Sequence, residues 1–313
     1  MSSQIPTAYV KQYSANVFHL SQQMASRLRP AVRNESQSSD SAYWDRIGAV
    51  TAVRKTSRHS DTPQIDTPHS RRQVTMNDYE YADLVDKQDK LRTIMDPENQ
   101  YAKAAIMAMG RAMDDEIIAA ALGSAYGGVS GATAVVLPTA QKVAAFDGST
   151  TTGVNLNVKT LRAVAQKLDA AEVDPSIARF FAFSASQKAS LLAETEVTSS
   201  DFAMVKALVD GKVDTFMGFK FLHTERLPRS STNVTYTVTN GVTAAGSGTI
   251  TAANSRRCIA WAQDGLLLSV GQDVLARISE RSDKSYSMQV YACLSLGSTR
   301  MEEEKVIEVI CSE

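Results

Sequence analysis

Cysteine is scarce in this sequence: three residues, Cys258, Cys293 and Cys311, in a chain of 313. They are far apart, odd in number and form no CxxC pair, so they read as buried or idle thiols in a reducing compartment. Long hydrophobic runs are missing too, and no stretch approaches the roughly 20 apolar residues of a membrane span. The opening "MSSQIPTAYVKQYSANVFHL" has no signal-peptide core, so a cytosolic site of synthesis is expected and the triplets at Asn34 and Asn233 carry no meaning. An excess of one charge is also absent. Lys+Arg 33 against Asp+Glu 34 gives a formal net charge of -1, which argues against a general nucleic-acid binder.

Catalytic signatures are equally thin. His19, His59, His69 and His223 show neither HxxxH nor HExxH spacing. His59 and His69 share a loop with Asp61 and Asp66, but solvated loop histidines are the simpler reading, and no metal site is expected. Walker A, G-x-G-x-x-G and G-x-S-x-G are all missing, and "YGGVSGATA" and "AAGSGT" read as loops. Asp114, Asp115 and Glu116 sit together, but neighbours on a helix diverge by about 100°, so they make a solvated face or an inter-subunit contact rather than an acid/base pair. Glu302, Glu303 and Glu304 read as part of a strand, where alternation splits them between faces. The expectation is a protein that is not an enzyme and uses no cofactor. The competing enzymatic reading is a hydrolase with a carboxylate or His-loop metal site, tested by replacing His59 or His69.

What is present is extended. Residues 1–42 are polar, with a short amphipathic piece over Tyr9–Leu28, and read as an arm rather than a core. Two alternating, strand-like segments, "YWDRIGAVTAVRK" (43–55) and "RQVTMNDYEYADLV" (72–85), bracket a polar loop. The stretch between and around them, "RKTSRHSDTPQIDTPHSRRQ", carries five Lys/Arg and only two acids. A loop this long is normally functional or projecting. The clearest helix opens at Asp96 and Pro97 and closes at Gly123, with Ile106, Met109, Met113 and Ile117 on one face. A second follows Asn157, "RFFAFS" is a short buried strand, and "SASQKASLLAE" and "SSDFAMVKALVDG" read as helices. "TFMGFKFLHTERL" is a strand with Gly218 as a bulge or kink. Residues 229–256 are a Thr/Gly-rich hairpin excursion. Four strand candidates close the chain and make its last third mostly antiparallel sheet.

Several stretches resemble the major capsid proteins of tailed bacteriophages: "AVRKTSRHSDTPQIDTPHSRRQVTMNDYEYADLVD", "AMGRAMDDEIIAAALG", "TEVTSSDFAMVKALVDGKVDTFMGFKF", "AWAQDGLLLSVGQDVLARISERSDKSYSMQVY" and "GSTRMEEEKVIEV". The resemblance runs from about residue 43 to the end. It implies an α+β tailed-phage major capsid fold, the fold shared with encapsulins. By implication residues 1–42 are an N-terminal arm and 43–85 an extended β-hairpin, or E-loop. Residues 86–123 and 274–313 are a peripheral domain with a long spine helix and antiparallel sheet, and 124–273 an axial domain carrying the excursion 229–256. It further implies self-assembly through pentamers and hexamers into an icosahedral shell around phage double-stranded DNA, in a bacterial host cytoplasm. The partners would be further copies of the chain, portal and scaffolding proteins, a decoration protein and non-specifically packaged DNA, with no membrane. No scaffolding-type segment precedes the arm, which suggests a separate scaffolding protein or none. Within that reading Arg54, Lys55, Arg58, Arg71 and Arg72 form the tip of the hairpin and meet acidic surface on a neighbouring subunit, with Asp114, Asp115, Glu116, Glu302, Glu303 and Glu304 as candidate partners. The alternative within the fold is an encapsulin-like compartment shell that loads a cargo enzyme.

Overall fold

The computed structural model describes residues 21–59, 61–86, 98–145, 154–194, 215–230, 234–238, 246–250 and 255–313. In chain order its strands are β1 Arg33–Ser36, β2 Ser41–Ile47, β3 His69–Thr75, β4 Asn77–Val85, β5 Ala125–Gly127, β6 Thr133–Val135, β7 Lys142–Ala144, β8 Arg179–Phe183, β9 Thr215–Phe216, β10 Phe219–His223, β11 Val234–Val238, β12 Gly246–Ile250, β13 Ser255–Ala262, β14 Leu266–Arg281, β15 Ser287–Arg300 and β16 Val306–Ser312. The helices are α1 Glu98–Leu122, α2 Val158–Ala170 and α3 Ala185–Ala193. The described residues form two compact units, with the chain crossing between them at Ser26/Arg27, Met76/Asn77, Ala112/Met113, Gly271/Gln272 and Ser295/Leu296.

The first unit holds β4, the N-terminal part of α1, and most of β14 and β15. β15 alternates cleanly: Val290, Ala292 and Leu294 are buried, while Gln289, Tyr291, Cys293 and Ser295 are half-exposed. Its outward row ties to the acids of β4, Tyr291 OH donating to Glu80 at 3.0 Å and Ser295 Oγ to Asp78 at 2.5 Å. The Glu80 carboxylate, accepting the phenol's hydrogen bond and so favouring its neutral form, pushes the Tyr291 pKa up to about 12.

The second unit is built on a six-stranded sheet in the order β7-β16-β13-β8-β10-β9. β13 runs antiparallel to β8 and β16, whereas β7 and β10 join in parallel, so the sheet is mixed rather than purely antiparallel. β8, "RFFAF", is buried along its whole length, as its unbroken apolar run requires of a central strand. Phe180 stacks on Trp261 at 5.9 Å and Phe181 meets Phe219 edge-on at 6.1 Å, while Trp261 spends its Nε1–H on the Ala31 carbonyl at 2.9 Å. α2 starts at Asn157, whose side chain accepts from the Thr160 amide at 2.8 Å, and buries Leu161, Val164 and Leu168.

Several expectations change. The helix expected over Tyr9–Leu28 lies mostly outside the described residues, and residues 21–28 are not helical. The stretch read as a polar arm is core at its end: Leu28, Ala31 and Val32 are buried, and β1 pairs in parallel with Leu267–Val270. On α1 the buried row is Ala105, Met109, Met113, Ile117 and Ala121 at steps of four, and Ile106, one residue off that row, is exposed. The helix start at Asp96 and Pro97 and the helix over 199–211 lie outside the described residues. Gly218 is not a bulge. Met217 at φ 50 and Gly218 at φ 81 form the two-residue turn of a hairpin between β9 and β10. The excursion contains the antiparallel pair β11 and β12. Glu302, Glu303 and Glu304 lie in the turn between β15 and β16, not in a strand, closed by Val306 N donating to Glu303 O at 3.2 Å.

Candidate assembly surface

β2 and β3 pair over seven residues, from Ser41 opposite Thr75 to Ile47 opposite His69, and β5 and β6 extend them into a four-stranded sheet. Alternation gives the sheet two unlike faces. Val74, Arg72 and Ala125 are buried on one. Tyr43, Ile47 and Tyr126 are exposed on the other, with Arg71 over the Tyr43 ring at 5.7 Å.

The ladder ends where a donor runs out. Gly48 N donates to Pro68 O at 2.9 Å, and Pro68 has no N–H to return. The strand expected to run to residue 55 therefore stops at Ile47, and the strand expected over 72–85 divides at Met76 into β3 and β4, which belong to different sheets. Between the strands, every described residue of 48–68 is exposed. This tip carries Arg54, Lys55 and Arg58 beside Val50 at 54% and Val53 at 59% exposure, so cationic and apolar groups face solvent together.

The structure separates the predicted basic set. Arg54, Lys55 and Arg58 lie in the tip. Arg71 and Arg72 lie on β3 instead. Arg71 pairs with Asp45 at 3.2 Å. Arg72 is only 3% exposed and bonds to Glu303 of its own chain at 2.5 Å, which takes it out of reach of a neighbour. The acidic set divides likewise. Asp114 is fully buried and accepts the backbone amides of Arg27 and Leu28 at 3.1 Å, so it holds its own chain. Asp115 is exposed and forks onto Arg226. Glu116 is half-buried on the same helix. Glu302 pairs with Lys305 at 2.9 Å, Glu303 turns inward, and Glu304 is exposed.

Glu303 is the centre of a cluster that local sequence reasoning missed. Its Oε1 meets Arg72 Nη2 at 2.5 Å and Arg300 Nε at 3.7 Å, and its Oε2 lies 3.8 Å from Arg46 Nη1. Arg46 also donates to the Met301 carbonyl. Arg300, with no exposed surface, donates to the carbonyls of Ala121 at 3.0 Å, Gly123 at 2.9 Å and Val135 at 2.9 Å. It thereby satisfies the carbonyls left open at the C-terminus of α1 and sits at the negative end of the helix dipole. Burial pulls the pKa of Arg72 and Arg300 below the ordinary arginine value, partly offset by Glu303. Both still carry their charge, as arginine does in proteins. Its members come from three separated segments, and only Arg300 and Glu303, three residues apart, are neighbours in sequence.

A family model described as "Phage capsid protein" matches residues 5–313. No curated protein matches the chain. Among solved structures, the capsid of the cyanophage P-SCSP1u is similar with a TM-score of 0.74 and 15% identity, over 99% of this chain and 94% of that one. The capsid of the Helicobacter pylori bacteriophage KHP30 is similar at 0.70 and 11%, over 99% and 98%. The capsid of a native GTA particle is similar at 0.65 and 13%, over 99% and 98%.

Proposed function

The chain belongs to the phage capsid protein family, a structural and non-enzymatic one, and from that premise we propose that it assembles through pentamers and hexamers into an icosahedral shell enclosing double-stranded DNA. In this reading the hairpin β2–β3 is the arm that lies on a neighbouring copy, and its contact residues are Arg54, Lys55 and Arg58 with the apolar Val50, Val53 and Ile65. The observation that carries it is the tip itself: every described residue of 48–68 is exposed, and it carries cationic and apolar side chains together. A single chain gains nothing by exposing them, whereas a neighbour covering them would remove apolar surface from water. Glu304, exposed in the turn before β16, is the acidic partner this reading keeps. Each exposed pair contributes roughly 0–1 kcal/mol, and a closed shell repeats it many times. Portal, scaffolding and decoration proteins would be further partners. The domain roles follow the resemblance: arm 1–42, E-loop 43–85, peripheral 86–123 with 274–313, and axial 124–273.

The test is the triple variant R54E/K55E/R58E, followed by light scattering and negative-stain microscopy. Wild type is expected to give closed particles or discrete pentamers and hexamers, and the variant smaller or open species. Unchanged particles would remove the three cations from the contact. Nuclease-resistant nucleic acid inside particles made in infected cells is the expected sign of DNA packaging. Particles holding a protein cargo instead would favour the compartment reading.

A further inference from the structure

Three cations converge on one carboxylate where the β2–β3 ladder approaches the tip: two ride on the hairpin, and the third stands three residues before the carboxylate. Arg46 lies on β2, Arg72 on β3, and Arg300 at the end of β15, where it caps α1; Glu303 lies in the turn before β16. The side chains of Arg72 and Arg300 are 4% and 0% exposed, and that of Glu303 17%. The Nε atoms of Arg72 and Arg300 are buried without a hydrogen-bond partner, so neither guanidinium is fully satisfied and the carboxylate between them is their only nearby counter-charge among the described residues. Arg46 is the one member with appreciable access to water.

We infer that Glu303 is a positioning residue: its carboxylate, gripping Arg72 and Arg46 of the hairpin and Arg300 at the end of α1, fixes the direction in which the hairpin leaves the fold. One oxygen holds the inner strand and the helix cap together, and the other faces the outer strand. Each hairpin strand is thus tied where the ladder nears the tip, while the tip beyond Pro68 stays free. Without the carboxylate, three like charges face one another in a site from which water is largely excluded. The cheapest relief is outward movement of the two that ride on the hairpin, because Arg300 is held by three backbone carbonyls. Glu303 thus acts within its own chain. The inference rests on the shell reading only for its consequence, since a hairpin of wrong direction would not reach a neighbour.

Hydrogen exchange read by mass spectrometry on the full chain tests it. In E303Q the amides of β2 and β3 are expected to exchange on the order of 100-fold faster, while those of β8 and β13 in the six-stranded sheet keep their protection. Uniform acceleration across both sheets would show a general contribution to stability and overturn the inference, as would no change at all. R46A is the second variant, since it removes the most accessible member and leaves the buried pair intact. It is expected to speed the same hairpin amides at least tenfold and leave β8 and β13 unchanged. If E303Q does not fold, R46A decides, and unaltered hairpin exchange in it overturns the inference. Neither readout requires shells to form, so failure of the assembly reading would show separately in light scattering.

Discussion

A guanidinium without exposed surface needs partners for its donors, and Arg300 places its two Nη groups on the carbonyls of Ala121, Gly123 and Val135. Replacing it with Met would keep the volume and strip those carbonyls of partners. R300M is expected to cost about 3 kcal/mol in a urea titration. R300K is expected to recover little, because an ammonium cannot span three carbonyls as a planar fork does. At the surface the same ion-pair chemistry has a local, titratable form. Arg281 donates to both oxygens of Asp283, at 2.8 and 2.7 Å, and these bonds lower the Asp283 pKa from 3.8 to about 2. A depressed carboxylate pKa favours the paired state above the ordinary value and loses that contribution as pH falls toward about 2. A carboxyl-carbon NMR titration is expected to show a midpoint of about 2 in wild type and one near 3.8 in R281Q. The sequence analysis singled out neither site, although Asp283 stands two residues from Arg281. The carbonyl partners of Arg300 are more than 160 residues away, and no local pattern encodes them.

At the scale of elements, local chemistry was legible wherever it was complete within a short window. Asn157 announced α2, the apolar run of β8 announced a buried strand, and the three-and-four spacing of Ile106, Met109, Met113 and Ile117 announced a long helix, although Ile106 lies off its buried row. Boundaries failed where a single backbone group decided them. Alternation continues past Ile47, but the missing N–H of Pro68 ends the ladder. "TFMGFKF" reads as one strand, yet a Met-Gly pair at positive φ turns it back on itself. Met is a poor choice for φ 50, and Asn tolerates it better. M217N is therefore expected to raise stability by about 0.5–1 kcal/mol in a thermal melt, the turn becoming Asn-Gly. At Gly297 a close approach matters instead. A Cβ there would lie 2.1 Å from the Thr75 carbonyl oxygen, a backbone atom that cannot swing away. G297A is expected to cost about 1–3 kcal/mol, checked by the urea midpoint.

For the whole molecule, the order of parts was readable because it resembles a family, and the family match covers residues 5–313. Which residues remain free for a neighbour was not readable, since that depends on long-range pairing. Arg72 and Glu303 looked like two halves of an inter-subunit contact and instead bind each other, whereas Arg54, Lys55 and Arg58 stay exposed. Exposed charge and exposed apolar surface on the same tip respond differently to salt, and the difference assigns their shares in assembly. The Debye length falls from about 10 Å at 0.1 M to about 3 Å at 1 M, which screens contacts made by the three cations, while apolar contacts are not weakened. If the cations carry the contact, wild-type particles are expected to loosen as NaCl rises to 1 M, and R54E/K55E/R58E to assemble poorly at 0.1 M and no worse at 1 M. If Val50, Val53 and Ile65 carry it, wild-type particles hold at 1 M, and V50S/V53S/I65S rather than the charge variant fails to assemble. Particle yield by light scattering across the salt series, measured for wild type and both triple variants, separates the two. The three cations sit beside apolar groups that a neighbour would desolvate with them, so the expected result is intermediate: a wild-type yield that falls with salt without vanishing, and a loss in each triple variant.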